Sequence, residues 1–169
     1  MATATASWPC PACAELLPSQ MDACPHCQLP GPWVDLLLAQ GFAVRQFHFW
    51  HVCGAIDKPQ FKALVKASRE EQDAMLQAAQ AGYEAPADTG LPSPSACWNC
   101  QYPTFPAAKR CPSCRVSVTG AEVRLIRYQT YLSRQVRDHA KAGRLATEAA
   151  ETFLDELEKS LAELQARTR

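Results

Sequence analysis

No stretch of this 169-residue chain stays apolar long enough to cross a bilayer: the longest, Val34 to Val44, is broken by Asp35, Gln40 and Gly41. The N-terminus shows no charged segment followed by an apolar one, so no secretory leader is expected and the chain reads as cytoplasmic. No Ser/His/Asp set, phosphate loop or partnered carboxylate pair is present, which argues against an enzyme and against a small-molecule substrate. Surplus charge is absent too, with 17 Lys and Arg against 17 Asp and Glu. Affinity for membranes is therefore not expected, and general affinity for nucleic acid is disfavoured.

Cysteine is abundant. Eight of the nine fall into four C-x-x-C pairs, Cys10/Cys13, Cys24/Cys27, Cys97/Cys100 and Cys111/Cys114, with ten residues between the pairs of each cluster. Without a secretory leader, such spacing favours metal over disulfides. Two facing pairs make a closed tetrahedral four-sulfur site with no position open for chemistry, the donor set of a structural zinc. In three pairs proline follows the first cysteine (Pro11, Pro25 and Pro112), presetting the turn and leaving later amides free to point at sulfur. Two structural Zn²⁺ ions are expected. Iron in a redox site and a thiol switch are the alternatives. Two metals against eight thiolates would take the net charge from zero to −4.

These knuckles resemble the prokaryotic zinc-ribbon family, and two copies resemble a double zinc ribbon. The resemblance covers Trp8 to Leu29 and Ser95 to Val118, and implies two knuckles facing each other across a small β-hairpin. Ala14, Gln28, Gln101 and Arg115 stand where related knuckles often have glycine, a departure that counts more against rubredoxin-type iron than against zinc.

The chain also matches itself. The first cysteine cluster and Pro25 map onto the second cluster and Pro112 at an offset of 87. At an offset of 89, Gly31, Val34, Leu36, Gln40, Arg45-Gln46 and Gly54 meet Gly120, Val123, Leu125, Gln129, Arg134-Gln135 and Gly143. The expected fold is mainly α with two small zinc-bound β-hairpins, a tandem duplication of zinc ribbon plus helical hairpin. Its divisions are ribbon 1 over 1–30, hairpin 1 over 31–82, a Pro-rich linker over 83–95, ribbon 2 over 96–118 and hairpin 2 over 119–169. One helix is expected from Trp33 to Cys53, ending at Gly54. A capping box of Asp57 and Gln60, with Pro59 in the first turn, opens the next. It carries Phe61, Leu64, Val65, Ser68, Leu76 and Ala79 at helical intervals up to Gly82. In the second unit Leu125, Tyr128, Leu132 and Val136 precede Gly143, and Thr147 is the expected N-cap of a helix whose Leu154, Leu157, Leu161 and Leu164 form a packing seam. Helix, Gly-x-Leu/Ile turn and helix together loosely resemble the oligomerisation and assembly domains that accompany bacterial zinc ribbons.

The run His48 to Cys53 could suggest a third metal or catalytic site, but His48, His51 and Cys53 align with Arg137, Ala140 and Ala142. Cys53 is therefore expected as a buried, inert thiol, and His26 as a surface residue. Charge segregates: between Lys109 and Arg144 nine basic residues face only Glu122 and Asp138. Arg127, Arg134 and Lys141 recur every seven residues, as do Arg137 and Arg144. Glu148, Glu151, Asp155 and Glu158 stripe the following helix, so acid is expected to lie against base across the hairpin.

A non-catalytic adaptor or scaffold is the expected function, with protein partners or self-association through the helices. A nucleic-acid-binding protein using helix 124–144 is the alternative, and a redox or zinc-release switch the second alternative.

Overall fold

The computed structural model describes residues 8–17, 23–104 and 108–169. Four helices dominate: α1 (Gly31–Val52), α2 (Lys58–Gln80), α3 (Ala121–Lys141) and α4 (Thr147–Arg167). They form two hairpins, α1 against α2 and α3 against α4, joined through an α1 to α3 contact. Asp35 meets Arg127 and Tyr128, and Phe47 meets His139, so α1 and α3 run in the same general direction at the centre. α1 is covered from both sides. Its buried residues accordingly spread around much of the helix, from Trp33 and Val34 to Ala39, Phe47 and Trp50, instead of forming a stripe. None of the helices is long and apolar enough to cross a membrane.

The helix ends follow from local chemistry. α1 and α3 close alike: Gly54 (φ +76) and Gly143 (φ +70) donate to the carbonyls of His51 and Ala140, and Ala55 and Arg144 donate to Trp50 and His139. Glycine alone enters this left-handed conformation without cost. Ile56 and Leu145, two residues on, are both buried. Asp57 caps α2 by accepting from the Gln60 amide at 2.8 Å. Only that half of the expected capping box forms. The Gln60 side chain instead accepts from the Ala146 amide of the other hairpin, at 3.4 Å. At the start of α4 the expected cap is displaced by one residue: Ala146, not Thr147, is the N-cap and offers no side-chain acceptor.

One core spans both hairpins. It includes Leu37, Phe47, Leu64, Tyr131, Leu132, Val136 and Leu157, with Leu154 packed against it. Trp50 of α1 stacks on Phe153 of α4 at 3.8 Å and 3°. Two buried amides repeat a pattern: Gln40 reaches Glu71 at 3.0 Å and Gln129 reaches Ser160 at 3.0 Å. These are the same two positions, 89 residues apart. Tyr131 donates to Gln40, while the side-chain oxygen of Gln129 has no partner among the described residues.

The Pro-rich linker is fastened along its length. The Trp33 indole donates to the Tyr83 carbonyl at 2.8 Å, Arg134 pairs with Asp88 at 2.6 Å, and Arg127 donates to the Pro92 carbonyl at 2.7 Å. A Cβ on Gly90 (φ +77) would come within 2.2 Å of the Arg134 side chain, so only glycine fits there.

Candidate metal centres

Each of the four C-x-x-C pairs adopts the same loop. The first cysteine carbonyl accepts from the amide four residues on, as in Ala14 to Cys10 and Arg115 to Cys111, at 2.9 to 3.0 Å. The amide of that first cysteine donates back to the residue five on: Glu15, Leu29, Tyr102 or Val116. To close so tightly, the residue after the second cysteine turns left-handed. Ala14, Gln28, Gln101 and Arg115 have φ of 62°, 63°, 60° and 67°, the only non-glycine residues with positive φ in the described chain. Glycine is the residue that enters this conformation without cost, and none of the four positions carries it.

The sulfurs converge as the spacing predicts. In each tetrad, Cys10, Cys13, Cys24 and Cys27 or Cys97, Cys100, Cys111 and Cys114, all four lie within 4.8 Å of one another. The close pairs are Cys10 to Cys27 at 3.7 Å, Cys13 to Cys24 at 3.8 Å, Cys97 to Cys114 at 3.7 Å and Cys100 to Cys111 at 3.6 Å. Zinc bonded to sulfur at about 2.3 Å in a regular tetrahedron sets the sulfurs about 3.8 Å apart. Each tetrad is thus positioned to bind a metal ion, and both fit structural zinc. The first cysteine of every pair is buried, while the second lies nearer the surface.

Hydrogen bonds draw three of the eight thiols down, Cys24, Cys111 and Cys114, whereas Cys13, Cys27 and Cys97 go up. The Cys27 amide, with that of His26, draws the Cys24 thiol down to about 6 against the opposing cost of burial. In the second tetrad the Asn99 side chain, then the Val116 amide, lowers Cys114 to about 6. Burial pushes Cys97 up to about 12, so bringing it to the thiolate requires the compensating charge of a metal. Asn99 was not singled out from sequence. Its knuckle, Cys97-Trp98-Asn99-Cys100, is the one without proline, yet the Asn99 amide still lies 3.4 Å from the Cys97 sulfur. A polar residue just before the second cysteine was the available signal.

The two centres are mounted differently. Cys10, Leu17, Cys24 and Leu29 belong to the main helical core, whereas Cys97, Cys111 and Val116 form a separate cluster beneath Trp98 and Val118. The Trp98 indole donates to the Ser117 carbonyl at 2.7 Å, and the Ser117 amide donates to Thr168 at the end of α4 at 2.9 Å. β1 (Trp8–Pro9) and β2 (Leu16–Leu17) pair antiparallel across the first knuckle. Isolated bridges, Ala23 with Pro30, Ala96 with Pro103 and Arg110 with Ser117, close the other three. The described pairing therefore flanks single knuckles. Residues 18–22 and 105–107, within the expected hairpins between knuckles, lie outside the described residues.

The remaining sequence candidates fare differently. His26 is exposed. His51 stacks on Phe61 at 4.5 Å and 7°, His48 lies near the same ring, and neither joins a metal-binding group among the described residues. Cys53 is exposed, contrary to its expected burial. It occupies the C-cap of α1, where the chain leaves the core before Ile56 returns to it, and its counterpart Ala142 is exposed as well. The expected acid-on-base packing of α3 and α4 is also absent among the described residues. Arg127, only 8% exposed, makes a two-pronged ion pair with Asp35 of α1, and Arg134 pairs with Asp88 and Asp138. These arginines sit on the sides of α3 that face α1 and the linker, and Glu148, Glu151, Asp155 and Glu158 stay exposed.

No family model, curated protein or solved structure matches this chain.

Proposed function

We propose that this protein is a non-catalytic, zinc-anchored scaffold: a tandem duplication in which each four-cysteine ribbon braces a helical hairpin, and the outer helix faces bind protein partners. The observation that carries it is the pair of four-cysteine groups, each with its sulfurs within 4.8 Å of one another, the donor set of a closed tetrahedral site. All four positions of each tetrahedron are protein ligands, so a bound metal would have no site for substrate. The likeness to zinc ribbons rests on the four matching knuckles. The duplication draws support from the paired Gly54 and Gly143 turns and from the Gln40 to Glu71 and Gln129 to Ser160 contacts. Eight free thiols kept as ligands suit a reducing compartment such as the cytoplasm.

The nucleic-acid reading loses ground because two of the cations that define its stripe are engaged internally, Arg127 by Asp35 and Arg134 by Asp88. Arg137 and Lys141 remain exposed. Metal analysis of protein purified under reducing conditions should give two zinc ions per chain, and DNA or RNA should bind no better to wild type than to Arg137→Glu/Lys141→Glu. Binding that falls steeply with salt and disappears in that variant would overturn the scaffold in favour of a nucleic-acid reader, and a red iron protein would favour a redox centre.

A further inference from the structure

The outer faces of α2 and α4 carry opposite charges at matching positions. At the offset of 89 that relates the two units, Lys62 corresponds to Glu151, Lys66 to Asp155 and Arg69 to Glu158. Where α2 breaks its basic run with Glu70, α4 breaks its acidic run with Lys159, so the inversion holds at four positions. All eight residues are exposed, and no ion pair joins one helix to the other among the described residues. The hairpins meet mainly through α1 and α3, with Trp50 on Phe153 and the Gln60 side chain on the Ala146 amide as further contacts, and none of the eight charged residues takes part in these; within α2, Lys66 and Glu70 lie 3.9 Å apart. Phe61 and Val65, half-buried, line a groove of about 290 Å³ between the α2 cations, so the basic face offers apolar surface as well as charge.

We infer that the occupant of each face is a second copy of this chain, with the basic face of α2 in one molecule docking on the acidic face of α4 in the next. This deepens the scaffold reading and rests on it. Side by side and in register, the helices would bring each charge to its opposite, Lys62 to Glu151 through Glu70 to Lys159. A face that is its own complement would produce a closed dimer. Complement and original lie on different helices, so two copies that make the contact twice, α2 on α4 and α4 on α2, close into a dimer, and copies that make it once add into a ring or an open array. A single exposed ion pair contributes little, but four in one register with apolar contact between them specify both partner and direction.

The test is a charge swap read by analytical ultracentrifugation. Wild type should show a mass that rises with concentration and falls with added salt, as screening shortens from about 10 Å at 0.1 M to about 3 Å at 1 M. Lys62→Glu/Lys66→Glu makes both faces acidic, Glu151→Lys/Asp155→Lys makes both basic, and each variant alone should self-associate more than about tenfold more weakly. Mixed in equal amounts, the two variants should assemble again, because each supplies the charge the other has lost. A chain that is monomeric throughout, variants that associate as well as wild type, or a mixture that fails to recover would each overturn the inference. Zinc content and circular dichroism of the same samples separate its failure from that of the scaffold reading. A folded, two-zinc monomer overturns only the self-association, whereas assembly by a zinc-free chain upholds it and removes the zinc anchor.

Discussion

Ala14, Gln28, Gln101 and Arg115 each bear a left-handed backbone that a Cβ disfavours by roughly 1–2 kcal/mol. The knuckles can hold such strain because four metal bonds over-determine their shape. Ala14→Gly should relieve it, less the entropy that glycine loses on folding, and tighten zinc at the first site by about 0.5–1 kcal/mol in a chelator competition. Cys53 poses the opposite case, an exposed sulfur with no structural duty. In the zinc-loaded protein a maleimide should add once, at Cys53, and Cys53→Ser should abolish the adduct; further adducts would mean open zinc sites. Its exposure was not legible from composition, since free cysteine is usually buried and only its place on the C-cap turns it outward. His139 is buried against Phe47, accepts from Arg144 at its Nδ1, and has an Nε2 without a partner among the described residues. Burial first, then the Arg144 charge, lowers its pKa from 6.5 to about 4. The unfolded chain therefore binds the proton near pH 6.5 while the folded one resists it until about pH 4. Stability is full above that window and falls through it on acidification, by about 2 kcal/mol between pH 7 and pH 5. The zinc sites also weaken in acid, so the check is a urea titration at both pH values in which His139→Gln loses less stability than wild type.

At the scale of elements, the helices were readable because their stop signals are strong and local. Gly54, Gly82 and Gly143 each end a helix within about two residues of where the sequence puts the end. Start signals were weaker. Asp57 caps α2 as expected, but its counterpart at the matching turn is Ala146, and Thr147 behind it falls inside the helix. Ala146 already has the extended backbone of an N-cap (φ −62, ψ 140) and is exposed, so Ala146→Asp should stabilise the protein by about 1 kcal/mol in urea denaturation. Charge partners were not readable. Periodicity places Arg127 and Arg134 on α3 but says nothing of which neighbour that face meets, and only the fold brings Asp35 and Asp88 to them.

Across the whole molecule, the two metal centres differ in what they support. The first shares the central core, so losing it should loosen α1 and the interface with α3; the second is a satellite clasped to the end of α4. Cys24→Ser should therefore lower the melting temperature of the helices by on the order of 10 °C more than Cys111→Ser, read by circular dichroism, the shift that about 3 kcal/mol produces in a chain of this size. Equal losses would mean that the centres bear on the core alike. The gathering of eight cysteines into two tetrads was legible because C-x-x-C spacing encodes its own geometry; the unequal mounting was not, since it depends on what lies beneath each tetrad. The fastened linker carries a consequence of its own. Proline, glycine and serine in a connecting segment usually invite cleavage, yet here the Trp33 indole and Arg127 hold the backbone carbonyls of Tyr83 and Pro92, Arg134 pairs with the Asp88 side chain, and Gly90 lies directly on an arginine side chain. A protease needs chain that can leave the surface. Limited digestion should spare this joint, and the protein would pass through it as one piece, with no fragment that ends between Tyr83 and Pro92.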